Sequence, residues 1–500
     1  MSDKPDIVEL TAVELVHRMK RRDLSPVEVL EAYIARIEAV EPALNSLNAR
    51  CFARARAEAR AAEARILAND ETGPLHGLPL GVKDLQKTKD LLTTFGSPLF
   101  KDFVPDADSV MVDRVRRDGA IVVAKTNTPE FGAGANSRNP VWGATGNPFD
   151  PSLTCGGSSG GSAAALAADL FPICTGSDTG GSLRIPSAFC GVVGFRPTPG
   201  MVPAEARDLG WTPISVLGPM ARNVPDTCLL FASQIGFDKG DPLTFPIASA
   251  PYRAPHPVDL AKLRVGYSVD LGTGIVSADI KAAFEKKLGA MRHLFRSCDA
   301  FSMDFSEAER CFDVIRATSF VARYRDDYEK DKSLLGPNIR ANYELGAAMS
   351  LADGAWAHAA QTRLFRRFQQ AFDEFDIIIT PAVATSPFPW TTLYLEEIDG
   401  KRLNTYYHWL AMSWFITLTT NPALSLPCGV DGKGLPFGLQ VIGPYRADRQ
   451  VLNVSAAMEA AFAENPELAR PKPDIAKLLK PVPEQKSIVT HPPRADLAYA

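Results

Sequence analysis

The strongest indication of fold and chemistry in this 500-residue chain is one stretch, which reads Ser177-Asp178-Thr179-Gly180-Gly181-Ser182-Leu183-Arg184. It follows a short apolar run at 171–174, which predicts a strand that leads into the stretch. Two glycines before a serine let the backbone turn tightly, so that successive N–H groups converge on one point. Such amides stabilise the negative oxygen of a tetrahedral intermediate. We therefore expect a nucleophile, Ser182, and its oxyanion donors on this loop, with a purely structural glycine turn as the alternative.

Glycine is concentrated around this loop, whereas histidine is scarce. Residues 156–200 hold 10 of the 36 glycines, and the whole chain has 7 histidines. Neither G-x-x-x-x-G-K-[ST] nor a G-x-G-x-x-G after a strand is present, which argues against a nucleotide site. G-x-S-x-G occurs in two overlapping frames in Gly156-Gly157-Ser158-Ser159-Gly160-Gly161, but no downstream histidine follows a predicted strand. A serine hydrolase with a histidine base is therefore the weaker interpretation.

A buried lysine is the alternative base. The apolar run 78–82 predicts a strand that delivers Lys83 and Asp84 to its carboxyl end. Burial disfavours the ammonium form, and a lysine pKa can fall from about 10.4 towards ~7–8, where the amine becomes a proton acceptor. An ordinary solvated lysine at a strand end is the other interpretation of this position.

Strands and helices alternate along the chain, which predicts an α/β fold. Further strands are predicted at 121–124, 263–268, 376–380, 423–427 and 437–443. Helices are predicted from Ser25-Pro26 to Pro42, and at 50–69, 108–118, 278–296, 306–334, 340–374 and 447–463. Residues 465–500 contain seven prolines and little periodicity, which favours an extended tail.

Composition excludes several classes of protein. Apolar residues make up 46% and charged residues 22%, as in ordinary globular proteins, and the net charge of −4 gives no sign of nucleic-acid or membrane-surface binding. The eight cysteines show no C-x-x-C pair, so we expect no metal, no cofactor and free thiols. With no apolar segment near the amino terminus, we expect a cytoplasmic protein.

Several motifs point to a known family. They are the segments 155–162, 178–186 and 191–198, the upstream Gly81-Val82-Lys83-Asp84, and the later segments 421–427 and 438–443. In these motifs, and in the spacing of 75 residues from Lys83 to Ser158 and 24 more to Ser182, the sequence resembles the amidase signature family. The resemblance covers about residues 10–465.

The resemblance implies a single large α/β/α sandwich with a mixed, mostly parallel central sheet. We expect one domain over residues 1–465, with a helical N-terminal layer at about 8–69 and a catalytic core at about 78–200. The extended tail then covers residues 466–500.

The resemblance also implies a role for each matching residue. Ser182 is the acylated nucleophile, Ser158 is a bridging serine with a cis peptide, and Lys83 is the base. Oxyanion and substrate contacts come from the backbone of Thr179, Gly180, Gly181, Ser182 and Gly132. Asp178 and Arg184 form a supporting ion pair, with further support from Ser159 and Thr154.

The resemblance implies an amidase that cleaves a carboxylic amide to a carboxylate plus ammonia or an amine. A cluster of aromatic residues, Tyr406, Tyr407, Trp409 and Trp414 with Met412, would wall an acyl pocket or simply pack in the core. No anchor charge for a substrate carboxylate stands out, so we expect neutral aryl, arylalkyl or medium alkyl amides.

Two other functions remain open. The first is an amidotransferase subunit that releases ammonia from glutamine for a partner. Such subunits carry a Ser-Asn-Leu-Ala-Arg-Tyr-Asp-Gly segment, and residues 319–326 here lack its asparagine and glycine. The second is a non-catalytic binding scaffold, against which the complete Lys83, Ser158 and Ser182 set argues. The expected binding partner is the small-molecule amide substrate. A homodimer remains open as the assembly.

Overall fold

The computed structural model describes residues 6–499 and contains an eleven-stranded central sheet. Its strands are β1 (Leu47–Arg50), β2 (Pro79–Lys83), β3 (Ile121–Thr126), β4 (Ile173–Asp178), β5 (Val193–Arg196), β6 (Val216–Ala221), β7 (Arg264–Tyr267), β8 (Ser297–Ala300), β9 (Ile377–Pro381), β10 (Ala423–Val430) and β11 (Pro436–Ile442). Their spatial order is β1-β3-β2-β4-β6-β5-β10-β11-β9-β7-β8. Two-residue to five-residue strands elsewhere form three small ribbons.

Along the chain, the α-helices precede, connect and follow these strands. They are α1 (Ala12–Lys20), α2 (Pro26–Leu44), α3 (Phe52–Leu67), α4 (Val110–Arg117), α5 (Gly160–Ala167), α6 (Arg184–Cys190), α7 (Val224–Gln234), α8 (Ala278–Met291), α9 (Ala308–Asp331), α10 (Pro337–Ala347), α11 (Leu351–Glu374), α12 (Ala411–Leu418), α13 (Asp448–Ala463) and α14 (Ala495–Ala498). None of the helices formed by residues 6–499 combines the length and the hydropathy of a membrane-crossing segment.

Both faces of the sheet are buried. On β3, Val122 belongs to one buried apolar cluster, whereas Ile121 and Val123 belong to another. Because successive side chains on a strand point to opposite faces, the two clusters lie on the two sides of the sheet. This is the layered α/β/α arrangement that the resemblance implies.

The mixed sheet is confirmed, but the balance of its pairings corrects the mostly parallel arrangement that the resemblance implies. Of the ten pairings in this sheet, as residues 6–499 form it, six are antiparallel and four are parallel. The undetected strand β6 accounts for two antiparallel pairings, and its Gly218 and Pro219 break the β-branched pattern that marks strands. β10 and β11 are joined by a tight turn, which also requires antiparallel pairing.

Two helix predictions also need correction. The helix α2 begins at Pro26 with a Ser25–Glu28 capping box, as predicted, but it passes through Pro42 and ends at Leu44. A proline so close to the end removes only one backbone hydrogen bond, and Asn45 with φ 49° then closes the helix. The single helix expected at 340–374 is two helices, because Ser350 and Asp353 form a capping box that starts α11.

The carboxyl-terminal segment packs against the rest of the chain. The side chains of Leu478 and Gln485 are buried, and Gln485 donates a hydrogen bond to the Ala43 carbonyl at 3.0 Å. The Val482 amide donates to the Pro42 carbonyl at 3.0 Å. Residues 466–499 are therefore joined to the end of α2, even though they contain only short helical turns.

The topology brings three predicted site segments together. β2 and β4 are parallel neighbours, so Lys83 and Asp178, their last residues, lie at the same edge of the sheet. The helix α5 follows Ser158 and Ser159 and packs against β2, β3 and β4. The carboxyl ends of parallel strands are the usual position of sites in α/β proteins, and this edge positions the candidate site.

Two helical glycines test the packing of this region. A β-carbon at Gly161 in α5 would overlap the Asn127 amide nitrogen and lie 2.5 Å from the Ser46 carbonyl, whereas one at Gly289 in α8 meets nothing within 4 Å. We expect Gly161→Ala to lower the free energy of unfolding by about 1–3 kcal/mol. Gly289→Ala is expected to raise it by up to about 1 kcal/mol through helix propensity. Thermal midpoints of the two variants check this, and equal shifts would contradict the packing described for α5.

Candidate active site

Lys83 is fully buried at the end of β2 and is surrounded by serine hydroxyls. Its Nζ atom lies 2.8 Å from Ser158 Oγ, 2.9 Å from Ser159 Oγ and 2.9 Å from Ser177 Oγ. Among residues 6–499, no carboxylate oxygen lies within 4 Å of Nζ. The interpretation of Lys83 as a solvated strand-end residue is therefore wrong.

This environment favours the neutral amine. Burial holds the pKa of Lys83 well below its ordinary value of 10.5, and the more distant Asp178 carboxylate only partly opposes that shift. A neutral amine has two N–H donors and one lone pair, which matches three hydroxyl neighbours. Ser159 donates its own proton to the Ser177 carbonyl at 3.3 Å, so it accepts from Nζ. In the neutral form of Lys83, the lone pair is left for one of the other two hydroxyls.

Ser158 lies two residues before the start of α5. The Gly157–Ser158 peptide is cis, as the resemblance implies. Ser158 Oγ is covered by Gly132, where a β-carbon would lie 3.2 Å from it. The next residue joins the two serine loops, because the Ser159 amide donates to the Ser182 carbonyl at 3.2 Å. The loop before Ser158 is fixed by Thr154, whose Oγ1 accepts from the Gly156 amide at 3.0 Å.

The Ser182 loop is held by the Asp178 side chain. Asp178 Oδ1 accepts from the Gly181 amide at 2.9 Å, and Oδ2 accepts from the Leu183 amide at 3.2 Å. Of the four amides predicted to hold an oxyanion, that of Gly181 is therefore engaged. The other three, on Thr179, Gly180 and Ser182, form no hydrogen bond within the described part of the chain, and neither does the Ser182 hydroxyl.

Two arginines neutralise Asp178, which is itself fully buried. Arg184 Nη2 lies 2.9 Å from Asp178 Oδ1, and Arg196 Nη1 lies 3.1 Å from the same oxygen. Burial by itself would raise the pKa of Asp178, but the two guanidinium groups and the loop amides hold that pKa well below its usual range. The alternative of a surface ion pair is wrong, since all three side chains are inaccessible to solvent.

Arg184 links this loop to α12 and β11, which lie far along the chain. Besides its two bonds to Asp178, it donates to the Ser413 carbonyl at 2.7 Å, to Gln440 Oε1 at 2.6 Å and to Thr417 Oγ1 at 3.0 Å. All five of its N–H donors are used. The loop is therefore anchored to both α12 and β11.

A cavity of about 250 Å³ opens in front of Ser182. Backbone on one side belongs to Gly132, Thr179 and Gly180, and the walls are largely aromatic: Phe131, Phe312, Phe320, Tyr324, Tyr406 and Tyr407. Of the predicted pocket residues, Tyr406 and Tyr407 line the cavity. Trp409, Trp414 and Met412 do not line it, because they are buried behind it, where Trp414 stacks on Phe312 with ring centroids 4.9 Å apart.

The cavity also contains charge that the sequence did not reveal. Arg207, Arg316 and Arg323 line it, together with Asp208. Two of these arginines lie on α9, which the sequence predicted as an ordinary long helix. Spacing along a helix does not reveal which of its residues face a cavity formed by distant segments, so these charged groups did not stand out in the sequence.

Three other residues of the site were quoted in motifs without being given a role. Ser177 contacts the Lys83 amine, Arg196 contacts Asp178, and Gln440 accepts from Arg184. Alternate side chains on a strand point to the same face, so Ser177 lies on the same face of β4 as Thr175. Thr175 Oγ1 accepts from the Lys83 amide at 3.0 Å. This alternation is the sequence signal that could have identified Ser177. Nothing in the spacing predicts the contacts of Arg196 and Gln440 across the sheet.

The family model described as Amidase matches residues 28–452 of this chain. The chain belongs to the amidase signature family. It is 32% identical to an acylamidase of Rhodococcus erythropolis over 462 residues, which cover 90% of this chain and 95% of that protein. It is also 34% identical to a glutamyl-tRNA(Gln) amidotransferase subunit of Synechococcus elongatus over 474 residues, which cover 90% of this chain and 97% of that protein.

The fold agrees with that of a solved member of the amidase signature family. The crystal structure of a bacterial aryl acylamidase superposes with a TM-score of 0.83 at 25% identity, covering 96% of this chain and 98% of the other. This chain is thus an amide-hydrolysing enzyme. The identities to an acylamidase and to an amidotransferase subunit are similar, so they do not distinguish between the two reactions.

The lowered pKa of Lys83 predicts a pH-dependent contribution to stability. Between that folded-state pKa and the ordinary value of 10.5, the unfolded chain binds one proton more than the folded chain. The free energy of unfolding contributed by this group therefore rises with pH, by about 1.4 kcal/mol per pH unit. In denaturant unfolding at increasing pH below 10.5, the stability of wild type relative to Lys83→Met should rise with this slope once the pH exceeds the folded-state pKa of Lys83. Parallel stability curves for the two proteins would show that Lys83 remains charged.

Proposed function

We propose that this enzyme hydrolyses a carboxylic amide through an acyl-enzyme on Ser182, with Ser158 relaying protons to Lys83. The observation that carries the proposal is the buried Lys83 amine, which lies 2.8 Å from Ser158 Oγ and has three hydroxyl neighbours in place of a carboxylate. A neutral amine in this position is a base of useful strength at neutral pH.

In acylation, Ser182 Oγ forms a bond to the amide carbonyl carbon and gives its proton to Ser158 Oγ. Ser158 passes its own proton to Lys83 Nζ, which becomes an ammonium. The carbonyl oxygen becomes an oxyanion, and the unpartnered amides of Thr179, Gly180 and Ser182 stabilise it. The engaged Gly181 amide orients the loop through Asp178.

The tetrahedral intermediate then collapses. The C–N bond breaks, and the leaving nitrogen takes a proton that returns from Lys83 through Ser158. Water attacks the Ser182 ester next, and the same two residues accept its proton. The second collapse releases the carboxylate and restores the Ser182 hydroxyl and the neutral lysine.

The aromatic cavity is proposed to hold the acyl group. Its largely aromatic walls and its size suit an aryl, arylalkyl or medium alkyl group, because small-molecule sites are typically lined by aromatic and apolar side chains together with some polar groups. The similarity to an acylamidase and to a bacterial aryl acylamidase supports this choice. On the sequence alone the amide is expected to be neutral.

The alternative is a glutaminase subunit of an amidotransferase. The 34% identity to a glutamyl-tRNA(Gln) amidotransferase component supports this alternative. The position of the missing asparagine is taken by Phe320, whose ring lies in the cavity wall with Arg316 Cζ 4.8 Å from its centroid. An apolar ring in this wall supports an amidase for larger acyl groups over a glutamine site.

We also propose a single domain over residues 1–465 and a cytoplasmic location. The first is supported by one sheet that includes strands from Leu47 to Ile442. The second is supported by eight cysteines without a disulfide in the described part of the chain.

The nucleophile is tested with a fluorophosphonate probe and with hydroxylamine trapping of the acyl group. We expect Ser182→Ala to abolish both labelling and hydroxamate formation. Ser319→Ala is the matched control, because it removes another serine hydroxyl of the same cavity and should leave labelling unchanged. Labelling that persists in Ser182→Ala would exclude Ser182 as the nucleophile.

The choice between an amidase and a glutaminase component of an amidotransferase is tested with the purified single chain. We expect hydrolysis of phenylacetamide and hexanamide without any partner, at a kcat/KM at least tenfold above that for glutamine. Glutamine hydrolysis that appears only after a second protein is added would favour the amidotransferase function.

A further inference from the structure

Arg316 is a buried cation in the wall of the proposed acyl pocket. It lies on α9 with 7% of its surface exposed, and it lines the cavity in front of Ser182. One helical turn earlier on the same face is Phe312, whose Cζ would be 3.4 Å from a β-carbon at Gly180. Arg316 therefore follows the aromatic ring that faces the oxyanion loop.

Most of the donors of Arg316 are unused. Nη2 donates to Tyr406 Oη at 2.6 Å, and that oxygen also accepts from Asn342 Nδ2 at 2.6 Å. Within residues 6–499, the buried Nε has no hydrogen-bond partner and Nη1 has none either. A guanidinium carries five N–H donors in its plane, so the edge formed by Nε and Nη1 has no acceptor within the described residues.

The charge of Arg316 is also uncompensated. No carboxylate in the described part of the chain lies within 4 Å of its guanidinium nitrogens. The acidic groups of this wall are engaged elsewhere: Asp313 accepts from Tyr407 at 2.5 Å and contacts His408 at 3.2 Å, and Asp208 lies 3.8 Å from Arg323. An unpaired buried charge is costly to keep, whereas a bound anion would balance it.

The rings around Arg316 position it without neutralising it. Its Cζ atom lies 4.8 Å from the Phe320 centroid, 5.1 Å from that of Tyr407 and 5.7 Å from that of Tyr406. Such cation–π contacts and the hydrogen bond to Tyr406 hold the planar group in one orientation. A planar guanidinium that is fixed in this way is suited to paired hydrogen bonds with a carboxylate.

We propose that Arg316 binds a carboxylate carried by the acyl part of the substrate, so that this enzyme prefers ω-carboxylated amides. This inference rests on the proposed function, in which the same cavity holds the acyl group. It replaces the expectation of a neutral substrate. The aryl or alkyl body of the acyl group packs on the aromatic walls, and its carboxylate reaches Arg316. Arg316 is then a specificity-determining residue that takes no part in proton transfer.

Matched pairs of amides test the preference. We expect wild type to hydrolyse 4-(carbamoylmethyl)benzoate and adipamate with at least tenfold higher kcat/KM than 4-methylphenylacetamide and hexanamide. Arg316→Met should lower kcat/KM for the carboxylates roughly 30-fold or more, chiefly through KM, and change the neutral amides less than threefold. Arg316→Lys should recover part of the loss.

Arg323→Met is the matched control. Arg323 lines the same cavity, but it is half-exposed and already lies within 4 Å of Asp208 and Asp327. We expect its loss to change both members of each pair by a similar small factor. If wild type prefers the neutral amides, or if Arg316→Met lowers both members equally, the inference is wrong.

A binding measurement separates this inference from the proposed function. In the Ser182→Ala variant, calorimetry should show adipamate binding at least tenfold more tightly than hexanamide, and the difference should vanish in Ser182→Ala/Arg316→Met. Equal affinities in Ser182→Ala would overturn the inference even where probe labelling supports the nucleophile. Tight adipamate binding without fluorophosphonate labelling of wild type would instead overturn the proposed function.

Discussion

A lysine side chain that is removed from water without a carboxylate partner is the constraint on which the proposed site depends. Burial at the end of β2 favours the amine over the ammonium, and three serine hydroxyls replace the lost water. A histidine base is not needed when a lysine is held in this way. The seven histidines of the chain are consistent with that chemistry.

The two buried charged groups of this sheet edge are treated in opposite ways. Asp178 is neutralised by Arg184 and Arg196, which hold its pKa well below the usual range, whereas Lys83 has no such partner in the described part of the chain and burial holds its pKa well below the ordinary value. The first arrangement fixes the Ser182 loop, and the second supplies the proposed base. Both depend on β2 and β4 being parallel neighbours, because that pairing puts their carboxyl ends side by side.

The sequence predicted the α/β class from its alternation of apolar strands and helices, which are local signals, whereas the mixed sheet and the approach of Lys83 to Ser158 were implied by the resemblance to the amidase signature family. It did not predict β6, whose Gly218 and Pro219 interrupt the strand pattern, or the break at Ser350. It left open whether Trp409 and Trp414 wall the pocket or pack in the core, and it missed the arginines of the cavity. The last two points share a cause, because which face of a helix meets a cavity is decided by segments far apart in the chain, such as α9 and the loop after β4.

The central claim, that a neutral Lys83 activates Ser182, is tested most directly by the pH dependence of the rate at which a fluorophosphonate phosphonylates Ser182, with loss of fluoride. This rate needs no knowledge of the substrate. The account predicts that the wild-type rate rises through one ionisation well below pH 10.5 and is then constant, and that Lys83→Met reacts far more slowly without that ionisation. A wild-type rate that keeps rising towards pH 10.5, or a Lys83→Met profile equal to that of wild type, would contradict it.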